Sequence, residues 1–167
     1  METLDAIKTR RSAREFTDKK VSKETIEQIL EAGRWAPSGM NNQPWRFIVV
    51  SDKKTKDLLS KQTHNEDIIK KAPCTIAIFY DANSGYDRTK DVLSIGACVQ
   101  NMLLASRSLG LGACWLGEIL KNKDNVAQLF EAPASYELMA VIALGESAEK
   151  SQVGERKGMD ELVYKWI

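Results

Sequence analysis

The chain has 167 residues, of which 24 are basic and 23 acidic, and its formal net charge is +1. This length, with 43% apolar and 28% charged residues, is typical of one globular domain and argues against a disordered or fibrous chain. No long run of one charge sign indicates a nucleic-acid partner.

Two helices and a loop are expected at the start of the chain. Leu4 and Ile7 among polar neighbours predict a first helix that ends near Arg10. Ser22 is a candidate N-cap for a second helix, whose apolar face consists of Ile26, Ile29, Leu30 and Gly33. Residues 36–44 hold two prolines, a glycine and two asparagines, and therefore predict a shaped loop rather than a helix.

The remaining chain predicts strands that alternate with helices. Strands are expected at residues 45–50, 74–80, 113–116 and 138–144. The second of these is apolar throughout, which indicates burial on both faces. Asp52 is a candidate cap for a helix that ends near residue 60, and another helix is expected at 122–130. The longest helix, about 90–109, shows little polar surface and is expected in the core, so the chain reads as a mixed α/β or α+β domain.

No segment of the sequence is expected to enter a membrane. No stretch approaches the roughly 18 to 20 uncharged apolar residues that span a bilayer. Charges interrupt each short apolar stretch of residues 1–16, so the continuous apolar region of a signal peptide is missing. We therefore expect a cytoplasmic protein.

The side chains offer little catalytic chemistry of their own. His64 is the single histidine, and no G-x-S-x-G turn accompanies it, so its polar neighbours favour a surface position. Apolar surroundings favour buried, reduced thiols, without metal-site spacing, for Cys74, Cys98 and Cys114. The dinucleotide fingerprint and the phosphate loop are absent as well. If the chain is an enzyme, its reactive group is expected to be an imported cofactor.

A cluster of cationic side chains follows the first helix. It consists of Arg10, Arg11, Ser12 and Arg14. Guanidinium groups bind phosphate bidentately, which makes a phosphate site plausible. The alternative is a solvated surface patch that pairs with Glu15 or Asp18.

The loop between Trp35 and Trp45 is a second candidate site. Gly39 permits close backbone approach, and the polar side chains of Ser38 and Asn41 can form hydrogen bonds to a flat ligand framed by the tryptophans. The alternative is a well-capped loop whose amide side chains bind their own backbone.

Four segments together resemble the nitroreductase family of FMN-dependent oxidoreductases. They are R-R-S-x-R at 10–14, A-P-S-G-x-N-x-Q-P-W-R-F at 36–47, L-G-L-G-A-C-W-L-G at 109–117 and R-K-x-x-x-E-L-V at 156–163. The resemblance implies one FMN-binding domain over residues 1–167, with an α+β layered fold and a central, mostly antiparallel sheet of about four strands. It also implies a homodimer with FMN sites at the subunit interface, and a tail, residues 146–167, that extends over the partner subunit.

The same resemblance assigns roles to individual residues. The FMN phosphate and ribityl chain are expected to be held by Arg10, Arg11, Ser12 and Arg14, with Arg156 closing on the phosphate. The isoalloxazine is expected to be lined from the other subunit by Pro37, Ser38 and Gly39, and flanked from its own by Trp115, Leu116 and Gly117. Asn41 is expected to touch the flavin or to shape its loop, and Asn65 to meet the pyrimidine edge.

The expected activity is transfer of reducing equivalents from NADH or NADPH to a nitroaromatic, quinone or flavin-like acceptor by a ping-pong cycle. No side chain is expected to be catalytic, because the chemistry belongs to the flavin. Two alternatives remain: a flavin-dependent dehalogenase or flavin-fragmenting relative, and a non-catalytic flavin-binding or redox-sensing module. The chain is shorter than the larger nitroreductases, so the expected lid over the site is minimal or different. Gly158 stands where relatives often have proline, which leaves the path of the C-terminal tail open.

Overall fold

The computed structural model describes residues 1–149 and 153–167. Within these ranges one sheet contains β1 (Trp45–Val50), β2 (Cys74–Asp81), β3 (Gly112–Leu116) and β4 (Tyr136–Gly145). The helices found there are α1 (Thr3–Thr9), α2 (Lys23–Arg34), α3 (Lys53–Ser60), α4 (Glu66–Lys71), α5 (Arg88–Ser108), α6 (Lys123–Leu129) and α7 (Met159–Leu162). The expected tail, residues 146–167, includes residues 150–152, which lie outside the described residues.

The sheet is antiparallel throughout, with the spatial order β1-β2-β4-β3. This confirms the expected fold class of an antiparallel sheet packed with helices. The two central strands are the most buried, and all eight residues of β2 are shielded from solvent. The expectation that this apolar strand is covered on both faces is therefore correct.

Alternate side chains of β2 enter two separate cores. Ile76 and Ile78 face α2 and α5, whereas Ala77 and Phe79 face α3, α4 and α6. The sheet is thus the middle of three layers. Over the described ranges, none of the helices has the length and apolar character needed to cross a membrane.

Side-chain caps begin two of the helices as the sequence predicted. Ser22 Oγ accepts a hydrogen bond from the Thr25 N–H at 3.2 Å, and Asp52 Oδ2 accepts one from the Thr55 N–H at 2.7 Å. The sequence did not predict α4, because its six residues are too few to show a helical period. The predicted loop at 36–44 contains a single 3-10 turn, Gly39–Asn41.

Helix α5 has apolar residues on its outer as well as its inner face, but the chain covers only the inner one. Its inner face, including Cys98 and Met102, is fully buried, whereas Leu93 on the outer face is 70% exposed. A Cβ atom at Gly96 would meet nothing within 4 Å. An apolar helix face that its own chain leaves open is typical of a contact with another surface.

The closest approach between α2 and α5 depends on Gly33. A Cβ atom there would lie 2.8 Å from Met102 Cγ and 3.1 Å from Cys98 Sγ. We expect Gly33→Ala to lower the free energy of unfolding by about 1–2 kcal/mol, because overpacking outweighs the gain in helix propensity. Urea unfolding with an unchanged m-value measures this effect. The exposed substitution Gln28→Ala on the same helix should change stability by no more than about 0.5 kcal/mol, and equal effects of the two substitutions would contradict the close contact.

Candidate functional site

The arginine segment lies along the edge of the sheet. Ser12 forms a parallel bridge with Ala113 of β3, and the Ala13 N–H donates to the Ala113 carbonyl at 3.1 Å. Burial raises the pKa of the Cys114 thiol on β3, and the nearby guanidinium groups of Arg14 and Arg10 lower it in part. The segment that carries the candidate phosphate ligands is therefore fixed beside β3.

Three guanidinium groups approach each other at this edge. Burial, and then the nearby charges of Arg156 and Arg11, lower the pKa of Arg10. The C-terminal segment thus brings Arg156 near Arg10, and the expected contact of Arg156 with a phosphate stays a prediction. Glu15, one of the two expected surface partners, instead pairs with Lys71 at 3.0 Å. Mutually repelling cations in a partly buried position favour the binding of an anion.

A cleft of about 420 Å³ opens beside these arginines, between the ends of α1 and α5. Its walls include Arg10, Arg11 and Arg107, together with Glu146 and Glu149. This volume lies within the range of about 300–1,000 Å³ that is usual for small-molecule sites. Ser12 and Arg14 are not among the residues that line this cleft.

Arg11 has a different environment from that of its neighbours. Its Nη1 donates to the carbonyls of Lys8 at 2.8 Å and Arg10 at 2.7 Å, at the C-terminal end of α1. Its Nε is buried and has no hydrogen-bond partner among the described residues. Arg107, whose Nε donates to Thr9 Oγ1 at 3.1 Å, was not a sequence candidate, since only the packing of α5 against α1 brings it to the cleft.

A second cluster forms around the end of β3. Leu116 is buried, while Trp115 is 43% exposed and Gly117 is open to solvent. The Glu118 carboxylate accepts hydrogen bonds from Thr63 Oγ1 at 2.7 Å and from the His64 N–H at 3.0 Å.

These two hydrogen bonds, from Thr63 and then from the His64 backbone, lower the pKa of Glu118. They join residues 63–65 to the chain just after Gly117. The structure therefore brings the segment of Asn65 close to the end of β3, and the expected contact of Asn65 with the flavin stays a prediction.

The loop of residues 36–44 has an unusual backbone. Met40, Asn41 and Gln43 have φ angles of 54°, 55° and 47°, a region that residues other than glycine rarely adopt. Within the loop, Ser38 Oγ accepts a hydrogen bond from the Gln43 N–H at 3.0 Å. Strained residues cluster at functional sites, where the surrounding structure holds them in place.

Within a single chain, this loop lies far from the arginines. The loop precedes β1, which is one edge of the sheet, whereas the arginine segment lies beside β3, at the other edge. Asn42 contacts Asp91 in the first turn of α5, while Arg107 occupies the last turn. These two helix positions are about 24 Å apart at about 1.5 Å per residue. Residues 37–41 therefore lie apart from the other candidates within one chain.

The remaining reactive side chains are three cysteines and one histidine. All three cysteines are buried as free thiols, and burial raises the pKa of Cys98 to about 12. His64 is exposed and faces Glu118, with 3.5 Å between Nε2 and Oε1. Among residues 1–149 and 153–167, no group of three or more His, Cys, Asp or Glu side chains is placed to hold a metal ion. The reactive group thus has to come from a bound molecule if this site is catalytic.

Comparison with known proteins gives a consistent result. The profile of the Nitroreductase family matches residues 7–66 and 54–146. A protein of Methanothermobacter thermautotrophicus, provisionally named NADH dehydrogenase/NAD(P)H nitroreductase, is 35% identical over 151 residues, which are 89% of this chain and 79% of that protein.

Two further relatives bear on the cofactor and the reaction. The crystal structure of a provisionally named nitroreductase from Desulfovibrio desulfuricans, in complex with FMN, superposes with a TM-score of 0.95 and 41% identity, covering 100% of this chain and 98% of that one. A more distant relative, the iodotyrosine deiodinase of Thermotoga neapolitana, is 27% identical over 166 residues, covering 84% of this chain and 86% of that protein.

The arginine cluster predicts stabilisation by a simple anion. Inorganic phosphate at about five times its Kd should raise the free energy of unfolding by about 1 kcal/mol above chloride at equal ionic strength. Arg10→Ala should remove most of this increase, because it deletes the central cation of the cluster. Arg34→Ala, which removes the same charge from α2, should leave it intact. Thermal unfolding in the two salts provides the measurement, and an equal response of both variants would argue against a local anion site.

Proposed function

Because the chain belongs to the nitroreductase family, we propose that it is an FMN-dependent oxidoreductase that uses NADH or NADPH to reduce a small-molecule acceptor. The proposal depends mainly on the partly buried arginine cluster at the edge of β3, where Arg156 and Arg11 both repel the guanidinium group of Arg10. A phosphate monoester would relieve this repulsion. The relatives support the choice of ligand, since one was crystallised with FMN and another is named for NAD(P)H.

The residues present fit an FMN molecule. Arg10, Arg11, Arg14 and Arg156, with Ser12, would hold its phosphate and ribityl chain. The exposed face of Trp115 and the backbone of Gly117, which lies beyond the last ladder pair of Leu116 with Val141, would flank its ring. Asn65 would meet the polar edge of that ring. When bound, FMN supplies the hydride chemistry, so the protein has only to bind, orient and shield it.

The donors placed around the ring explain why no catalytic side chain is needed. Backbone N–H groups at residues 116–117 would stabilise negative charge on the reduced cofactor, in the way that preorganised donors do elsewhere. Nicotinamide and acceptor would occupy the same open face in turn, which is a ping-pong cycle. The half-exposed Trp115 supports an open face, which would admit nitroaromatic, quinone or flavin-like acceptors.

A homodimer would complete the site. The loop of residues 37–41 and the arginines lie at opposite ends of α5 in one chain, so a single chain supplies two halves of different sites. The outer face of α5, with Leu93 exposed and Gly96 open, is a suitable contact for a second copy. The tail also carries exposed apolar side chains, Tyr164, Trp166 and Ile167, which would be covered if it extended over the partner.

A dehalogenase is the second candidate, because a deiodinase is among the relatives. Reductive dehalogenation would use the same cofactor and the same arginines, so the acceptor alone distinguishes the two. A non-catalytic flavoprotein would accept one reduction per flavin and then stop.

The direct test is the visible spectrum of the purified protein, followed by steady-state oxidation of NADH or NADPH. We expect a flavin band, release of about one FMN per chain on heating, and many turnovers with a nitroaromatic or quinone. Halogenated tyrosine as the sole acceptor tests the second candidate. A protein that is colourless and does not take up added FMN would overturn both functions, and a single reduction per flavin would indicate a binding module.

The shared site predicts a specific effect of Gly96→Glu. A side chain at Gly96 meets nothing in its own chain, so the monomer should fold, whereas a carboxylate in a subunit interface is costly. We expect a monomer in sedimentation that has lost FMN. Gln128→Glu adds the same charge to exposed α6 and should leave dimer and flavin unchanged. A wild-type monomer that binds FMN tightly would contradict the shared site.

A further inference from the structure

A buried carboxylate lies beside the strained loop and has no role in the site described so far. Asp91, in the first turn of α5, is fully shielded from solvent. It accepts hydrogen bonds from Asn42 Nδ2 at 2.7 Å, the Tyr86 N–H at 3.0 Å, the Asp87 N–H at 3.2 Å and the Tyr80 hydroxyl at 3.3 Å. Burial opposes ionisation, but these hydrogen bonds outweigh it and lower the pKa of Asp91. The group is therefore an ionised acceptor at neutral pH.

This carboxylate does more than help to begin the helix. Asp87 already caps α5, since its Oδ1 accepts a hydrogen bond from the Lys90 N–H at 3.0 Å. Two of the four donors to Asp91, the Tyr86 and Asp87 N–H groups, lie at the start of α5, whereas the Asn42 and Tyr80 side chains belong to segments that precede it in sequence. A buried charge is costly unless it is satisfied, and here half of the donors that satisfy it come from outside the helix.

Asn42 connects the carboxylate to the loop. The same Nδ2 that donates to Asp91 also donates to the Ser84 carbonyl at 3.0 Å. One side chain of the loop is thereby joined to α5 and to the β2–α5 connection at once. Within the loop, the Ser38–Gln43 hydrogen bond closes the turn but does not attach it to the rest of the fold.

A second attachment acts from the first residues of β1. Arg46 Nη2 pairs with the buried Asp81 carboxylate at 2.7 Å and donates to Ser84 Oγ at 2.7 Å, while Nη1 donates to the Gln43 carbonyl at 3.1 Å. Met40 and Asn41, which have positive φ angles, directly precede Asn42, and Gln43, the third such residue, lies between Asn42 and Arg46. Strained backbone persists only where the surroundings determine it, so the polar contacts fix the shape that presents residues 38–41.

We propose that Asp91 is a positioning residue that, through Asn42, holds the loop of residues 38–43 in the shape that contacts FMN bound by the partner subunit. This inference rests on the proposed function, since it needs a flavin shared between two copies. Asp91 touches neither cofactor nor substrate in this scheme. It acts by fixing Asn42, and Asn42 by fixing the loop.

The first test uses Asn42→Ala, which cuts the attachment but leaves Asp91 with its three other donors. We expect a folded dimer whose FMN Kd is raised about tenfold or more, a factor that corresponds to about 1.4 kcal/mol. Asp91→Asn should have the same direction of effect, because its amide has to face one of the four donors. Asn83→Ala removes an exposed amide from the adjacent turn and should leave the Kd unchanged.

A mixed dimer separates positioning from general destabilisation. One subunit carries Asn42→Ala, and the other carries Arg10→Ala together with Arg14→Ala. In the Asn42→Ala homodimer both sites have an altered loop, and in the double-arginine homodimer both sites lack the arginines. In the mixed dimer, the intact arginines of the first subunit face the intact loop of the second, so flavin binding should return at one FMN per dimer. A subunit that was merely misfolded by Asn42→Ala would restore nothing.

The outcomes distinguish this inference from the function on which it rests. A wild-type protein that does not bind FMN overturns the proposed function. Wild-type binding, with equal FMN affinity for Asn42→Ala and Asn83→Ala, overturns the positioning role alone. Weakened binding in Asn42→Ala without rescue in the mixed dimer also overturns it, because the loop would then act within its own subunit or only through stability.

Discussion

The packing of α5 against the sheet is the constraint on which the other features depend. The helix lies on β2 and β4 through a fully buried face, and Gly33 allows α2 to approach it closely. Its 21 residues span about 31 Å at about 1.5 Å per residue. One end anchors the strained loop through Asp91, and the other end contributes Arg107 to the cleft. Because the packed helix has a fixed length, the loop and the arginine cleft stay apart in one chain.

The buried charges at the two ends of α5 have opposite environments. At the first end, the Asp91 carboxylate has four donors and Arg46 is paired with Asp81, so the charges are satisfied within the chain. At the other end, Arg10 is partly desolvated next to Arg156 and Arg11. Satisfied buried charges rigidify a structure, whereas mutually repelling ones leave favourable energy for a ligand of the opposite sign. The first end is therefore suited to hold a shape, and the second to bind an anion.

The sequence predicted features that depend on neighbouring residues. The bounds of β1 agree with the expected 45–50, and both predicted caps, Ser22 and Asp52, accept hydrogen bonds from their helices. Periodicity and capping are local, and they survive folding unchanged. The joint role of Arg156 and the arginines at the start of the chain in holding an FMN phosphate stays a prediction. That prediction came from the resemblance of whole segments to a family, because no local pattern relates two residues so far apart.

Asp91, Asn42 and Arg107 escaped the sequence analysis because their roles are set by contacts between distant segments. Asp91 looks like an ordinary acidic residue in the first turn of a helix, and Asn42 looks like part of a polar loop. Their partnership exists only because α5 packs where the loop ends. The residue roles assigned by the resemblance, the cytoplasmic location and the acceptor stay predictions.

The division of α5 into two faces also separates stability from assembly. Substitutions on its inner face act on the cores of a single chain, where Met102 and Cys98 have no free space. The outer face, around Leu93 and Gly96, contributes little to those cores, so changes there leave the monomer intact. If the flavin site is shared, activity depends on the outer face although no residue of that face touches the cofactor. An apolar surface that a single chain cannot bury is then retained because the chemistry requires two copies of the loop and two copies of the arginines to meet across it.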